Sequence, residues 1–536
     1  MRLALALLFA LPLLASATEP VSFSEAKLRA SIQTLSSDAF GGRAPGSAGE
    51  KLTLDYLTGK FKEYGLAPGN GKSYLQEVPM KQITADPRTE LVIGGAGAPL
   101  KFAYGDDMVV SSPRTDATVT LKKSQLVFVG YGIVAPEYNW NDYAGVDVKG
   151  KTVVVLVNDP GHAHDDLFTG RTMTYYGRWT YKYEEAARQG AAGILLVHDD
   201  DMAGYPWEVV RGSWTGPLEE LPPGKGHQLS MQGWVSRTTA RKIFDAAGMQ
   251  LSDVLPNAAR PGFKAIPMRV DASITLHDKV KDIVSHNVVA LVKGSTNLAD
   301  VVVYSAHWDH LGTRTGEDGK TEIFHGAIDN GSGTAGLLEI ARVMAASHPQ
   351  RSVLFVATTS EEQGLLGAAY YAAHPLFPLK DTVADLNMDV LDTFGTTHDV
   401  TVRGHFMSGV DDVFVAQAKQ LGLAVEEDSQ PEKGMYFRAD HFEFAKAGVP
   451  AMSIALGTDY VGHPAGWGLE QQRGYTAQRY HKPADVYDPG WDLSGMLQQL
   501  QLMYATGIAL ADSPDWPAWK PGTPFSAKRE ATRPSK

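Results

Sequence analysis

Asp300-Val301-Val302-Val303-Tyr304-Ser305-Ala306-His307-Trp308-Asp309 is the stretch on which the fold turns. Val301 to Tyr304 are apolar without alternation, the mark of a strand buried on both faces, and the run ends on a polar group at His307. The texture recurs on either side. Val288-Val289-Ala290-Leu291-Val292 precedes it, and Val353-Leu354-Phe355-Val356-Ala357 and Val449 to Leu456 follow. Between them Thr334 to Ala345 sets Leu337, Leu338, Ile340, Ala341 and Met344 along one side of a helix. Buried strands alternating with helices specify an α/β fold, a mostly parallel sheet with helices on both faces. In such sheets ligands bind beyond the carboxyl ends of the strands.

Working outward, the N-terminal part reads as helical: Ser24 opens one helix, and Glu50 to Tyr64 forms another that Gly65 stops. The loop Ser37 to Ser47 between them is rich in glycine. From about Leu121 strand-like runs dominate: Gln125 to Gly130, Thr152 to Val157 and Ile194 to His198, with a helix from Tyr183 to Gln189. Residues 115–272 are accordingly expected to form an inserted β-rich α/β domain, dividing the domain that carries the buried strands into 18–114 and 273–512, with 513–536 as a C-terminal tail.

Composition narrows the chemistry. The chain has 536 residues, 49 Lys plus Arg against 61 Asp plus Glu, and no cysteine. A net charge of -12 opposes binding to phosphate backbones, so no nucleic-acid partner is expected. Without cysteine there is no thiolate nucleophile or thiolate metal site, and a metal must be held by His, Asp and Glu. Arg2, the apolar run Leu3 to Leu14 and Ala15-Ser16-Ala17 form the pattern of a signal peptide over residues 1–17. The expected location is periplasmic or secreted, with no membrane attachment after cleavage.

Five polar segments fall at strand ends or in loops: His307-Trp308-Asp309, Ala327 to Gly333, Ser360-Glu361-Glu362-Gln363-Gly364, Asn387-Met388-Asp389 and Tyr480-His481-Lys482. Two His, two terminal carboxylates and one bridging carboxylate are sufficient to hold a pair of divalent cations on one substrate. A further carboxylate must stay off the metals to act as base, and the neighbours Glu361 and Glu362 suit that split, because adjacent side chains of an extended segment point oppositely.

In family order these segments resemble the co-catalytic zinc aminopeptidases, a family that includes secreted bacterial leucine aminopeptidases and glutamate carboxypeptidases. The resemblance covers about Ala306 to Asp485. Tyr131-Gly132-Ile133, Tyr143 to Lys151 and Gly190 to Ile194 resemble a protease-associated domain. The resemblance implies two divalent ions, zinc by preference, and a peptide substrate. It implies His307 and Asp389 on one zinc, Glu362 and His481 on the other, and Asp329 as the bridge. It further implies Glu361 as general base, Asp309 orienting His307, Tyr436 ahead of Asp440-His441 as oxyanion donor or packing tyrosine, and a cis peptide after Asp329.

The activity so implied is that of an aminopeptidase. Three other readings stay open. One is a carboxypeptidase or dipeptidase of the same family, in which Arg403 or Arg438 takes the substrate carboxylate. The others are a glutaminyl-cyclase-like transferase and a non-catalytic binding protein on the same fold.

Overall fold

The computed structural model describes residues 22–533, apart from 96, 225, 317–318 and 404–406. The expected signal peptide lies outside the described residues. Two β-sheets organise the chain. The first runs from edge to edge through Pro217–Glu220, Leu75–Thr84, Lys279–Val292, Arg351–Thr358, Asn297–His307, Thr382–Met388, Ala451–Ala455, Asp399–Val402 and Ala424–Glu426. Its centre is parallel, from Arg351–Thr358 across to Ala451–Ala455.

The sheet is nonetheless mixed, where a mostly parallel one was expected. Pro217–Glu220, Leu75–Thr84, Lys279–Val292 and Arg351–Thr358 pair antiparallel, as do Ala451–Ala455 and Asp399–Val402. The cause is a short link. Residues 293–296 turn the chain straight back from Lys279–Val292 into Asn297–His307, and a parallel connection needs a crossover. Helix Gly331–Ala345 provides that crossover before Arg351–Thr358, which enters between the two.

Side-chain alternation divides the apolar runs between two cores. Val302, Tyr304, Ala306, Val353, Phe355 and Ala357 face helices Glu25–Leu35, Ala48–Glu63, Gly331–Ala345 and Ser494–Asp512. Val301, Val303, Leu354 and Val356 face helices Leu366–Ala373 and His441–Lys446. Both faces are therefore covered by helices.

The second sheet has the order Leu100–Ala103, Glu90–Gly94, Ile266–His277, Thr118–Phe128, Thr152–Leu156, Gly193–Val197, Met231–Val235 and Met108–Ser111. The expected border at 115 falls inside it, because three strands between Glu90 and Ser111 pair into it. These strands are short and broken by turns, so they carry no long apolar run. The lobe is bounded by residues 85–89 and by Asp278, which alone separates Ile266–His277 from Lys279–Val292. Its span also sends Pro217–Glu220 back to the edge of the first sheet. The segment expected as a tail is docked: Trp519 and Phe525 are buried, and Arg529 donates to the carbonyls of Leu379 and Thr382. No helix among the described residues is long and apolar enough to cross a membrane.

Close packing beneath the central strand gives a test. Tyr304 stacks on Phe355 and donates to Met503 O on the helix Ser494–Asp512. A Cβ on Gly507 of that helix would lie 1.7 Å from the Tyr304 hydroxyl. Gly→Ala gains about 1 kcal/mol of helix propensity, but overpacking a tight core costs about 1–3 kcal/mol. Gly507→Ala is expected to lower the thermal midpoint, and adding Tyr304→Phe to recover part of the loss.

Candidate metal centre

His307 closes the central strand, and its surroundings are built to hold it still. Thr334 Oγ1 donates to His307 O at 2.7 Å, and Trp308 Nε1 donates to His286 O at 2.9 Å. Trp308, Leu35, His325 and Gly326 all turn their carbonyls to one buried guanidinium, that of Arg43, at 2.7–2.8 Å. Burial lowers the Arg43 pKa to about 10, opposed by the fields of Asp309, Asp485, Asp329 and Glu362. Arg43 thus joins the N-terminal loop to both the His307 strand end and the segment leading to Asp329.

Asp329 stands at the entry to helix Gly331–Ala345, after a sharp turn in which the Asp329–Asn330 peptide is cis. Asn330 caps that helix, taking the Gly333 N–H, and donates to Met388 O, so Asp329 and the strand end before Asp389 move as one. The backbone N–H groups of Ile328 and Asp329 donate to the Asp485 carboxylate at 3.1–3.2 Å.

The side chains converge. His307 Nε2 lies 3.3 Å from Asp329 Oδ1, 3.4 Å from Asp389 Oδ1 and 3.9 Å from Glu361 Oε2. His481 Nε2 lies 3.3 Å from Asp329 Oδ2 and 3.0 Å from Glu362 Oε2. Asp329 therefore turns one oxygen to each imidazole. Asp309 reaches His307 Nδ1 through its main-chain carbonyl at 3.2 Å, closer than its carboxylate at 3.7 Å. That carboxylate instead accepts the Glu361 N–H at 3.1 Å.

The electrostatics follow from burial. It opposes the charged form of every group here, yet Glu361, Asp309, Asp329 and Asp389 together hold the His307 imidazole well above its usual range. Against burial, Glu362 and Asp329 lift His481 to about 10, and His481 and His310 draw Glu362 down to about 2. Burial pushes Glu361 well above the carboxylate range, and Asp389, Glu362 and Asp440 push the same way. Five acids share a dry pocket with three imidazoles, a negative surplus that divalent cations neutralise. Three groups bring one ligand atom from each member within 4.8 Å of one another: His307, Asp329 and Asp389; His310, Asp329 and Glu362; and His307, Glu361 and Glu362. The donor set of imidazole and carboxylate fits zinc.

The structure thus brings seven expected residues together: His307, Asp309, Asp329, Glu361, Glu362, Asp389 and His481. Tyr436 is not among them. It is buried, donates to Ala451 O at 2.9 Å and packs edge-on to His441, so the alternative of a packing tyrosine holds. Arg403 lies 3.7 Å from Asp389 Oδ2, already paired with a site carboxylate. His310 was missed: its Nδ1 meets Glu362 Oε1 at 2.5 Å, while its Nε2 has no partner among the described residues. The signal was the spelling His307-Trp308-Asp309-His310 at a strand end. Tyr480, one residue before His481, stacks on its ring at 3.9 Å.

Comparison with known proteins agrees. Residues 287–505 match the model of Peptidase family M28. A probable zinc metalloprotease of Leptosphaeria maculans is 28% identical over 292 residues, 49% of this chain and 61% of the relative. Aminopeptidase NAALADL1 of Rattus norvegicus is 25% identical over 516 residues, 82% of this chain and 63% of the relative. The chain thus spans less than two thirds of either relative. Among solved structures, an aminopeptidase from Aneurinibacillus sp. strain AM-1 is 20% identical with a TM-score of 0.51, covering 93% of this chain and 96% of that one, a likeness of fold.

The Arg43 hub gives a second test. Arg43→Lys keeps the charge but cannot serve four carbonyls from one planar fork. Its zinc affinity, measured by competition with a chelating dye, is expected to fall about 10–100-fold, the usual cost of losing a partner behind the ligands.

Proposed function

We propose that the protein is a zinc-dependent exopeptidase, an aminopeptidase acting on peptides outside the cytoplasm, a reading supported by the match of residues 287–505 to the model of Peptidase family M28. The observation that carries the reading is Asp329, with one oxygen toward His307 and the other toward His481. In this reading His307 and Asp389 would hold one ion and Glu362 and His481 the other, with Asp329 shared between them. His310 braces Glu362 from behind.

Bound there, zinc supplies Lewis acidity toward the scissile carbonyl and brings the pKa of water near neutrality. Glu361 takes the proton from the attacking water and returns it to the leaving amine. It is suited to this because its carboxylate makes no hydrogen bond among the described residues, while its backbone N–H is fixed on Asp309. The lobe built on residues 90–277, proposed to be a protease-associated domain, stands beside the mouth and limits substrate size.

One observation favours the carboxypeptidase or dipeptidase reading. Burial and, less, the Arg438 guanidinium lower the pKa of Arg178, from that lobe, to about 10, and Tyr205, Tyr480 and Glu361 oppose both. The Nε atoms of both are out of water without a partner among the described residues. Two neighbouring guanidiniums of this kind suit a substrate carboxylate.

Aminoacyl-p-nitroanilides, N-acetylated peptides and C-terminally amidated peptides separate the readings. The aminopeptidase hydrolyses the first, and loses activity on the second but not the third. Loss on the third alone favours the carboxylate reading. Glu361→Gln is expected to retain zinc and lose at least about 10²-fold in kcat. Zinc loss in that variant would exchange the roles of Glu361 and Glu362.

A further inference from the structure

The strand Pro217–Glu220 comes from the span of the second lobe, yet it pairs with Leu75–Thr84 as the outermost strand of the first sheet. Its position brings Glu219 against the turn that carries Glu361. Ser360 Oγ donates to Glu219 Oε2 at 2.7 Å, and the Glu219 N–H donates to Gln363 Oε1 at 3.3 Å. One residue therefore grips the turn on both sides of the Glu361-Glu362 pair. Resting on the function proposed above, we propose that Glu219 is a positioning residue, which sets the direction of Glu361 by holding Ser360.

Ser360 is the point at which such a hold matters. It is fully buried and has φ of 51°, a left-handed conformation that a non-glycine residue keeps only when its surroundings enforce it. Its carbonyl accepts the Leu366 N–H at 3.0 Å, so its backbone also starts the helix beyond the turn. A rotation at Ser360 swings Glu361 directly. Behind Ser360 the hydroxyls continue: Thr359 Oγ1 at 3.4 Å, then Ser285 Oγ at 2.6 Å from Thr359, then Glu50 Oε1 at 3.0 Å from Ser285. Ser360 thus sits in a polar chain that ends on Glu219 at one side and Glu50 at the other.

Packing alone does not call for a carboxylate here. Glu219 is 7% exposed, and among the described residues no ion pair reaches it. Burial, with Asp309 and Glu50 nearby, raises its pKa to about 7. An apolar residue would be the cheaper occupant if nothing depended on the hydrogen bond to Ser360. What the position requires is an acceptor, which either protonation state supplies.

The test uses the full chain loaded with zinc. Glu219→Gln keeps the acceptor, Glu219→Leu removes it, and Ser360→Ala removes the same contact from the other side. Glu219→Leu and Ser360→Ala are expected to lower kcat about 10–100-fold with KM and zinc content near wild type, the scale of a small misplacement of a catalytic group. The double variant should be no worse than the worse single one. Amide hydrogen exchange over residues 359–366 should quicken in both, while Glu219→Gln matches wild type in kcat and exchange. Unchanged exchange in the Leu and Ala variants, unchanged kcat, or a loss of zinc together with kcat would each overturn the proposal. A wild-type protein that hydrolyses no peptide would end the functional reading by itself, and the exchange measurements would still decide whether Glu219 holds the turn. If Glu219→Leu does not fold, Ser360→Ala carries both readouts.

Discussion

Five carboxylates, Asp309, Asp329, Glu361, Glu362 and Asp389, meet buried or half-buried at the carboxyl ends of parallel strands, and much of the surrounding structure answers to that repulsion. Left alone, like charges at these distances would push the strand ends apart or take up protons. The chain meets the cost in two ways. Fixed cationic and N–H groups are brought in from behind, and the front is left to imidazoles and to metal. Arg43 is the clearest case. Among the described residues it makes no ion pair with an acid, yet its charge stands within the field of four of them while its guanidinium ties down four backbone carbonyls. It is at once a counter-charge and a brace.

The same logic explains why the residues around the ligands are polar and buried. Asn330 and Asp485 do not face the pocket. They hold the backbone of Asp329 between the helix Gly331–Ala345 and the strand end at Met388. A carboxylate that turns one oxygen to each of two imidazoles must present both in fixed directions, so its main chain cannot be left to a free loop.

The sequence was most informative where chemistry and periodicity coincide. Val301 to Tyr304 running into His307 announced both a buried strand and a polar site residue at its end, and Asp329, Glu361, Glu362, Asp389 and His481 were visible as polar breaks in the same rhythm. Direction was harder to read. Whether a strand runs parallel depends on links such as residues 293–296, and such a short link says only that the chain turns back, not which strand enters between. The early strands of the second sheet were hidden because Glu90–Gly94, Leu100–Ala103 and Met108–Ser111 are too short to show a period. Arg43 was invisible for another reason: an arginine in a glycine-rich loop looks like surface, and only the fold brings four carbonyls to it. Tyr436 shows the converse. Its place before Asp440-His441 was legible, but the side chain's partner, Ala451 O, lies on a strand that only the fold sets beside it.

The two lobes do not simply sit side by side. Arg178 and Tyr205 come from the second sheet's span and meet Arg438 of the first lobe. Glu184 of one lobe pairs with Lys446 of the other at 3.0 Å, and Tyr175 packs its ring against Phe437, Phe442 and Phe525. The strand Pro217–Glu220 goes further, since it is hydrogen-bonded into the catalytic sheet while belonging to the other lobe in sequence. A hinge between the lobes would have to break that strand pairing or carry it along. The second lobe therefore acts less as a swinging cover than as a wall built onto the site. Under the roles proposed for the lobe and for Glu361, substrate selection and the alignment of Glu361 depend on the same stretch of chain, so that a substitution in the lobe alters the proposed chemical step from a distance.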